Sequence, residues 1–348
     1  MIYKTLIRPV LFLIDPETVH HLVSCMLKGM FVIPGVRCIV QKVFTYQNPN
    51  LETHLFGLTF PNKVGLAAGF DKKADLYNHI SAFGFGHVEI GTVNPIPQPG
   101  NPKPRLFRVQ KDKALINRMG FNNPGVDAFV ENLRKNKPKV LIGGNIGKNT
   151  NTPNDKAIND YLVCFEKLYE WVDYFVINVS CPNIEGLKKL HEKDELGRIL
   201  LALAEANKRK SKRKPMLLKI SPDLNEHQLD EVVELVHTAE IDGIIATNTT
   251  TSRELLTIPL QEIDKIGKGG MSGKPLRQKS TDVIRYLHKK FEGKTPIIAS
   301  GGIMSEKDAI EKIDAGASLV QVYTGFVYEG PFIAKRINRA LSKKDSAS

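Results

Sequence analysis

Eight short apolar runs recur between residues 64 and 322, with helical periodicity in the segments between them. They are Val64–Ala67, His87–Gly91, Val140–Asn145, Phe175–Val179, Met216–Ile220, Gly243–Thr247, Pro296–Ser300 and Ser318–Val322. Segments such as Glu226–Ala239 and Lys307–Ala315 carry apolar residues at helical spacing. About eight βα repeats at this length predict an α/β fold, a (β/α)8 TIM barrel with its site at the carboxyl ends of the strands. A doubly wound open sheet is the alternative, but no GxGxxG follows the first strand with an acid about 20 residues later. A short hairpin-like stretch, Leu51 to Pro61, precedes the first repeat.

The chain divides into an appendage, residues 1–45, and the barrel, residues 46–348. Asp15-Pro16-Glu17 reads as an N-cap, a first-turn proline and an early acid. Behind it Val19, Leu22, Val23, Met26, Leu27, Met30 and Phe31 form one apolar stripe. No apolar run reaches the roughly 18 residues of a membrane span, and no cleavage site follows. Two readings stand: a helical pair packed on the barrel, or an amphipathic anchor lying on a membrane surface.

The formal charge of +12 suits anionic ligands, phosphates or acidic headgroups, and by itself selects none of them. The run Lys208–Lys214 lacks interleaved aromatics and sits between a helix and a strand, so a solvated loop is expected rather than nucleic-acid contact. Four cysteines (Cys25, Cys38, Cys164, Cys181) show no paired or metal-ligand spacing, and the histidines are scattered, so neither disulfides nor a metal site are expected.

The residues just past each strand carry the chemistry. Strand one runs into Ala67-Ala68-Gly69-Phe70-Asp71-Lys72, and strand two ends at Gly91-Thr92. The long loop before strand three holds Asn117-Arg118-Met119-Gly120-Phe121, and strand three ends at Asn145. Strand four delivers Asn178, Cys181 and Asn183 around Pro182, strand five Lys219, and strand six Thr247-Asn248-Thr249. A lysine at a buried strand end requires an anionic partner. Three glycine-containing loops follow: Gly269–Gly273, Ser300-Gly301-Gly302 and Tyr323-Thr324-Gly325. Loops of this kind in the last quarter of a barrel bind phosphate through backbone N–H groups. Phosphate, a lysine for a ring that becomes anionic, carboxamides for a polar ring and a thiol together point to FMN and a redox reaction.

In order and across the whole barrel, AAGFDK, GT, NRMGF, GGNIGKN, NVSCPN, KISPDL, ATNTT, GGMSGKPL, SGGI and YTGFVYEGP resemble the dihydroorotate dehydrogenase family. The appendage and hairpin resemble those of its class 2, quinone-linked, membrane-associated members. The resemblance implies oxidation of (S)-dihydroorotate to orotate in pyrimidine (UMP) biosynthesis, one FMN per chain, and a respiratory quinone as acceptor. It implies a monomer held peripherally on the cytoplasmic face of the cell membrane. By the same resemblance Ala68, Gly69, Thr92, Asn145, Asn178, Lys219, Thr247, Gly273, Gly302, Tyr323 and Thr324 hold FMN. Lys72, Asn117, Arg118, Met119, Gly120, Phe121, Asn178, Asn183, Asn248 and Thr249 hold dihydroorotate.

By the same resemblance Cys181 takes the catalytic position, where it would remove a proton from C5 of the substrate while a hydride leaves C6. Class 2 members carry serine there and class 1 members cysteine, so this chain departs from its class. A thiol of ordinary pKa about 8.5 gives up its proton more readily than an alcohol, which bears on rate and pH behaviour rather than on the reaction. A soluble class 1-type enzyme using fumarate, or a non-redox phosphate-binding barrel, are the competing readings.

Overall fold

The computed structural model describes residues 2–179 and 193–346. Eight parallel strands close into a barrel: β3 (Val64–Asp71), β4 (His87–Val93), β7 (Leu141–Ile146), β8 (Tyr174–Asn178), β9 (Met216–Ile220), β10 (Gly243–Ala246), β12 (Ile297–Ser300) and β13 (Leu319–Val322), which returns to β3. These are the eight predicted strands, with the first extended to Asp71. A strand points alternate side chains to opposite faces. Phe175, Ile177, Leu218, Ile220, Val320 and Val322 accordingly join the core beneath the helices, whereas Tyr174, Val176, Leu217, Ile245, Ile298 and Leu319 form a separate cluster inside the barrel.

The outer helices follow the expected pattern. Glu226–Thr238 opens with an Asn225/Gln228 capping box and buries Leu229, Val232, Leu235 and Val236 on one side. The hairpin of β1 (Thr53–Leu55) and β2 (Leu58–Phe60) places Phe60 in the interior cluster, so the amino end of the barrel is plugged with apolar side chains. His87 lies against Phe60 there, wholly buried, with ring centroids 5.3 Å apart.

Two readings need correction. The segment before strand three is not a plain loop, because β5 (Leu106–Val109) and β6 (Ala114–Asn117) form a hairpin within it. Gly270–Gly273 is not a loop either: as β11 it pairs antiparallel with β6. A Gly-Met-Ser-Gly segment has almost no intrinsic strand preference. Its pairing is dictated by a partner about 150 residues away, which local patterning does not reveal.

The basic run is a loop, as expected. Arg213 pairs with Asp242 at 2.6 Å, Lys208 with Glu240 at 3.0 Å, and Lys210 with Glu166. Lys214 donates to the Val172 carbonyl at 2.5 Å.

The appendage comprises a π-helical turn (Tyr3–Ile7) and helices α1 (Arg8–Phe12), α2 (Pro16–Val32) and α3 (Val36–Phe44). Asp15 caps α2 by accepting from Thr18 N at 2.9 Å. Glu17, buried, takes a two-point contact from Arg105: Nη2 to Oε1 at 2.7 Å and Nε to Oε2 at 3.1 Å. The Arg105 guanidinium holds the Glu17 carboxyl below its usual pKa. The stripe on α2 divides: Leu27 packs on the core, whereas Leu22, Met26 and Met30 are exposed. Helices α2 and α3 are bent 117° apart, and no single described helix is long and apolar enough to cross a membrane.

Burial pushes the His87 pKa down to about 3 from its ordinary 6.5. The unfolded chain therefore binds more protons between those values, and stability present above pH 6.5 is lost as pH falls toward 3. Urea midpoints measured from pH 7 to pH 4.5 should fall, with a His87 contribution of up to about 1.4 kcal/mol per pH unit. His87→Leu should flatten that slope, and an unchanged slope would refute the assignment.

Candidate active site

At the carboxyl end of the barrel lies a cavity with about 1150 Å³ of space between atoms, open to solvent on one side. Its lining includes Ala68 and Gly69 on β3, Thr92 on β4, Asn178 on β8, Lys219 on β9 and Thr247-Asn248-Thr249 after β10. Gly273, Gly302, Tyr323 and Thr324 close one side, and Lys72, Asn117, Met119, Gly120 and Phe121 the other. Thus the predicted residues from both halves of the chain converge on one space.

A hydrogen-bonded layer forms its floor. Asn178 Nδ2 donates to Thr92 Oγ1 at 2.9 Å and to Asn145 Oδ1 at 3.3 Å, and Thr92 donates to the same Asn145 oxygen at 2.6 Å. Asn248 donates to Asn178 Oδ1 at 3.4 Å. Asn145 Nδ2 and Lys219 Nζ each reach Glu89 Oε2 at 3.3 Å, and Gln321 donates to the other oxygen of that carboxylate. Lys219 and Glu89 are both buried, which a charged pair tolerates only with such additional partners.

The glycine side is braced from behind. Gly302 has φ +75°, and a Cβ there would lie 2.2 Å from Arg277 Cα, so only glycine fits. Asp308 accepts from Met304 N at 3.0 Å and from Arg277 Nη1 at 3.1 Å. Lys312 Nζ donates to the Arg277 carbonyl at 2.7 Å and to Thr281 Oγ1 at 2.7 Å, and burial pushes its pKa down to about 7. Ser280 donates to the Ser300 carbonyl at 2.8 Å. The loop is therefore tied from behind by hydrogen bonds with three neighbouring helical side chains.

Lys72 Nζ contacts Asn122 Oδ1 at 2.7 Å and Met119 Sδ at 3.0 Å, on the wall toward the appendage. Behind that wall a second cavity of about 770 Å³ lies under α2, with His20, Ser24, Cys25 and Lys28 on its far side. The two cavities share Gly69, Lys72, Leu106, Met119, Asn122 and Tyr323. His20 Nε2 sits 2.9 Å from the Phe70 carbonyl, and burial pushes its pKa down to about 4.

Four predicted residues are not found in the cavity lining: two are directed elsewhere, and two lie outside the described residues. Arg118 is directed away: its guanidinium stacks over Phe107 at 4.4 Å and donates to the Ile266 carbonyl. Its reading as a substrate contact follows from its place in Asn-Arg-Met-Gly-Phe; it stands just past β6, with its side chain held by Phe107 and the carbonyls of Ile266 and Lys268. Asn145 sits behind the floor and acts through Thr92 and Asn178. Cys181 and Asn183 lie outside the described residues. Sequence reasoning missed Glu89, Gln321, Asn122 and Ser272. Glu89 and Gln321 fall mid-strand, and only strand alternation marks them as inward.

The chain matches the dihydroorotate dehydrogenase family over residues 50–344. It belongs to that family. A relative from Christiangramia forsetii, described as "Dihydroorotate dehydrogenase (quinone)", is 52% identical, with 98% of this chain and 99% of the relative covered. One from Synechococcus sp. JA-3-3Ab with the same description is 46% identical, with 98% and 92% covered. The ligand-free DHODH structure from Eimeria tenella superimposes with a TM-score of 0.86 at 36% identity, with 96% of each chain covered. Its ferulenol complex gives 0.82 at 36% identity, with 96% of this chain and 92% of that one covered.

A flavin nucleotide fits this cavity by its polar lining. Gln321 lines it and keeps a buried Oε1 with no hydrogen-bond partner among the described residues, and Lys219 supplies a cation at the floor. Gly302→Ala should displace the braced loop, lowering stability by about 1–3 kcal/mol and the flavin content on purification. A variant with full flavin content and unchanged melting would contradict the bracing.

Proposed function

We propose that the protein oxidises (S)-dihydroorotate to orotate in pyrimidine biosynthesis and passes the electrons to a quinone, using FMN. The observation that carries this reading is the convergence of Lys72, Asn117, Asn178, Lys219 and Asn248 with three glycine-bearing segments around one cavity. Family membership and relatives described as quinone-dependent over nearly the whole chain support it.

FMN would be held by Ala68, Gly69, Thr92, Asn178, Lys219, Thr247, Gly273, Gly302, Tyr323 and Thr324, with Asn145 supporting the floor. When bound, the flavin supplies a two-electron acceptor. Lys72 offers a cation to the substrate carboxylate, and Asn117, Asn178 and Asn248 offer amide donors and acceptors to its ring. Phe121 and Met119 exclude water beside them, both being buried. Cys181 is the base of this reading and accepts the C5 proton on Sγ; Asn183 completes the carboxamide set. Lys219 offsets negative charge arising at the floor.

The second cavity supports a route for quinone between α2 and the shared wall of Lys72, Met119 and Tyr323. Exposed Leu22, Met26 and Met30, together with Val32, Ile33 and Ile39, would rest residues 1–45 on the cytoplasmic face of the membrane. The chain acts there as a peripheral monomer.

Cys181→Ala should slow flavin reduction by dihydroorotate about 10²–10⁴-fold while flavin content holds. An unchanged stopped-flow rate would remove Cys181 from the base role. Leu22→Glu with Met26→Glu should abolish sedimentation with acidic lipid vesicles and leave flavin reduction intact; retained sedimentation would defeat the anchor. Faster turnover with fumarate than with a quinone would favour the class 1-type reading instead.

A further inference from the structure

Glu89 is a charge the proposed mechanism does not use. It lies on β4 two residues beyond His87, so alternation turns both into the barrel, His87 toward the apolar plug and Glu89 toward the cavity. The carboxylate is wholly buried and does not itself line the cavity. Three side chains converge on it: Lys219 Nζ and Asn145 Nδ2 at 3.3 Å on one oxygen, and Gln321 Nε2 on the other. Two of them, Lys219 and Gln321, do line the cavity.

A buried ion pair is a poor device for stability, because hydrophobic residues of the same volume serve as well or better. It is an effective device for fixing an electric field. With water excluded, a full negative charge behind the floor acts strongly on whatever occupies the cavity. Lys219 by itself would favour any ligand state that gains negative charge, and Glu89 directly behind it opposes that preference. Because a carboxylate only accepts, it also fixes the Gln321 amide with Nε2 inward, leaving Oε1 as the acceptor without a partner among the described residues.

We propose that Glu89 is a positioning and field-setting residue: it holds Lys219 and Gln321 in register and lowers the reduction potential of the flavin in this cavity. A lower potential makes the reduced flavin a better donor to an electron acceptor. This rests on the flavin reading, and the test separates the two.

Dye-equilibrium potentiometry on the flavin-loaded protein gives the answer. Glu89→Gln keeps the shape and removes the charge. Its midpoint potential should rise by at least about 30 mV, a tenfold change in the two-electron equilibrium. Glu89→Asp, which keeps the charge, should remain within that tenfold. A flavin-loaded Glu89→Gln protein at or below the wild-type potential overturns the proposal. If that variant does not retain flavin, the double variant Glu89→Gln/Lys219→Met removes the pair without leaving a lone buried charge. It should then have a higher potential than Lys219→Met, and equal potentials overturn the proposal. Wild-type protein that purifies without flavin overturns the flavin reading itself.

Discussion

Closing eight parallel strands into a barrel sends every second side chain into an interior that water does not reach, and the rest of this structure follows from how that interior is filled. At the amino end the filling is apolar: Val176, Leu217, Ile245, Ile298 and Leu319 pack under Phe60 from the hairpin. One layer higher it becomes polar, with Glu89, Lys219, Gln321, Asn145 and Asn178 joined in a single hydrogen-bonded network. A barrel that is dry below and polar above has one end suited to a ligand. The cost of burying a lysine and a glutamate is offset by mutual pairing and by the carboxamides around them.

The appendage is built onto that end rather than tethered to it. Arg105 grips Glu17 with two hydrogen bonds in a buried setting, and Arg108 lies over the Phe12 ring at 4.5 Å while donating to the Ile14 carbonyl at 2.6 Å. Removing Glu17 would leave the buried Arg105 guanidinium without its carboxylate, costing about 3–5 kcal/mol. Docked in this way, α2 roofs a second cavity and still leaves Leu22, Met26 and Met30 outward. One helix thus serves as a packing element on one side and as an unsatisfied apolar surface on the other.

Much of this was legible in the sequence, and the reasons are local. Apolar runs such as Tyr174–Asn178 and Met216–Ile220 announce buried strands, and the polar residues that end them, Asn178 and Lys219, mark the site. Asp15-Pro16 announces the start of α2 because capping depends on three or four neighbouring residues. What stayed hidden depends on distant partners. The strand character of Gly270–Gly273 comes from pairing with Ala114–Asn117. Glu89 stands inside a strand-like run, and its importance appears only when Lys219 and Gln321 are brought across the barrel. Arg118 shows the same dependence: its motif places it beside the site, and just past β6 its guanidinium lies over Phe107 on the paired strand.

Family membership, the barrel and the residues lining its cavity support the same chemistry. The most direct measurement is the visible spectrum of the purified protein, recorded anaerobically before and after addition of dihydroorotate. A yellow flavin chromophore that bleaches with dihydroorotate, and returns when a quinone is supplied, is the predicted result. A colourless protein, or a chromophore that dihydroorotate leaves unchanged, would contradict the account.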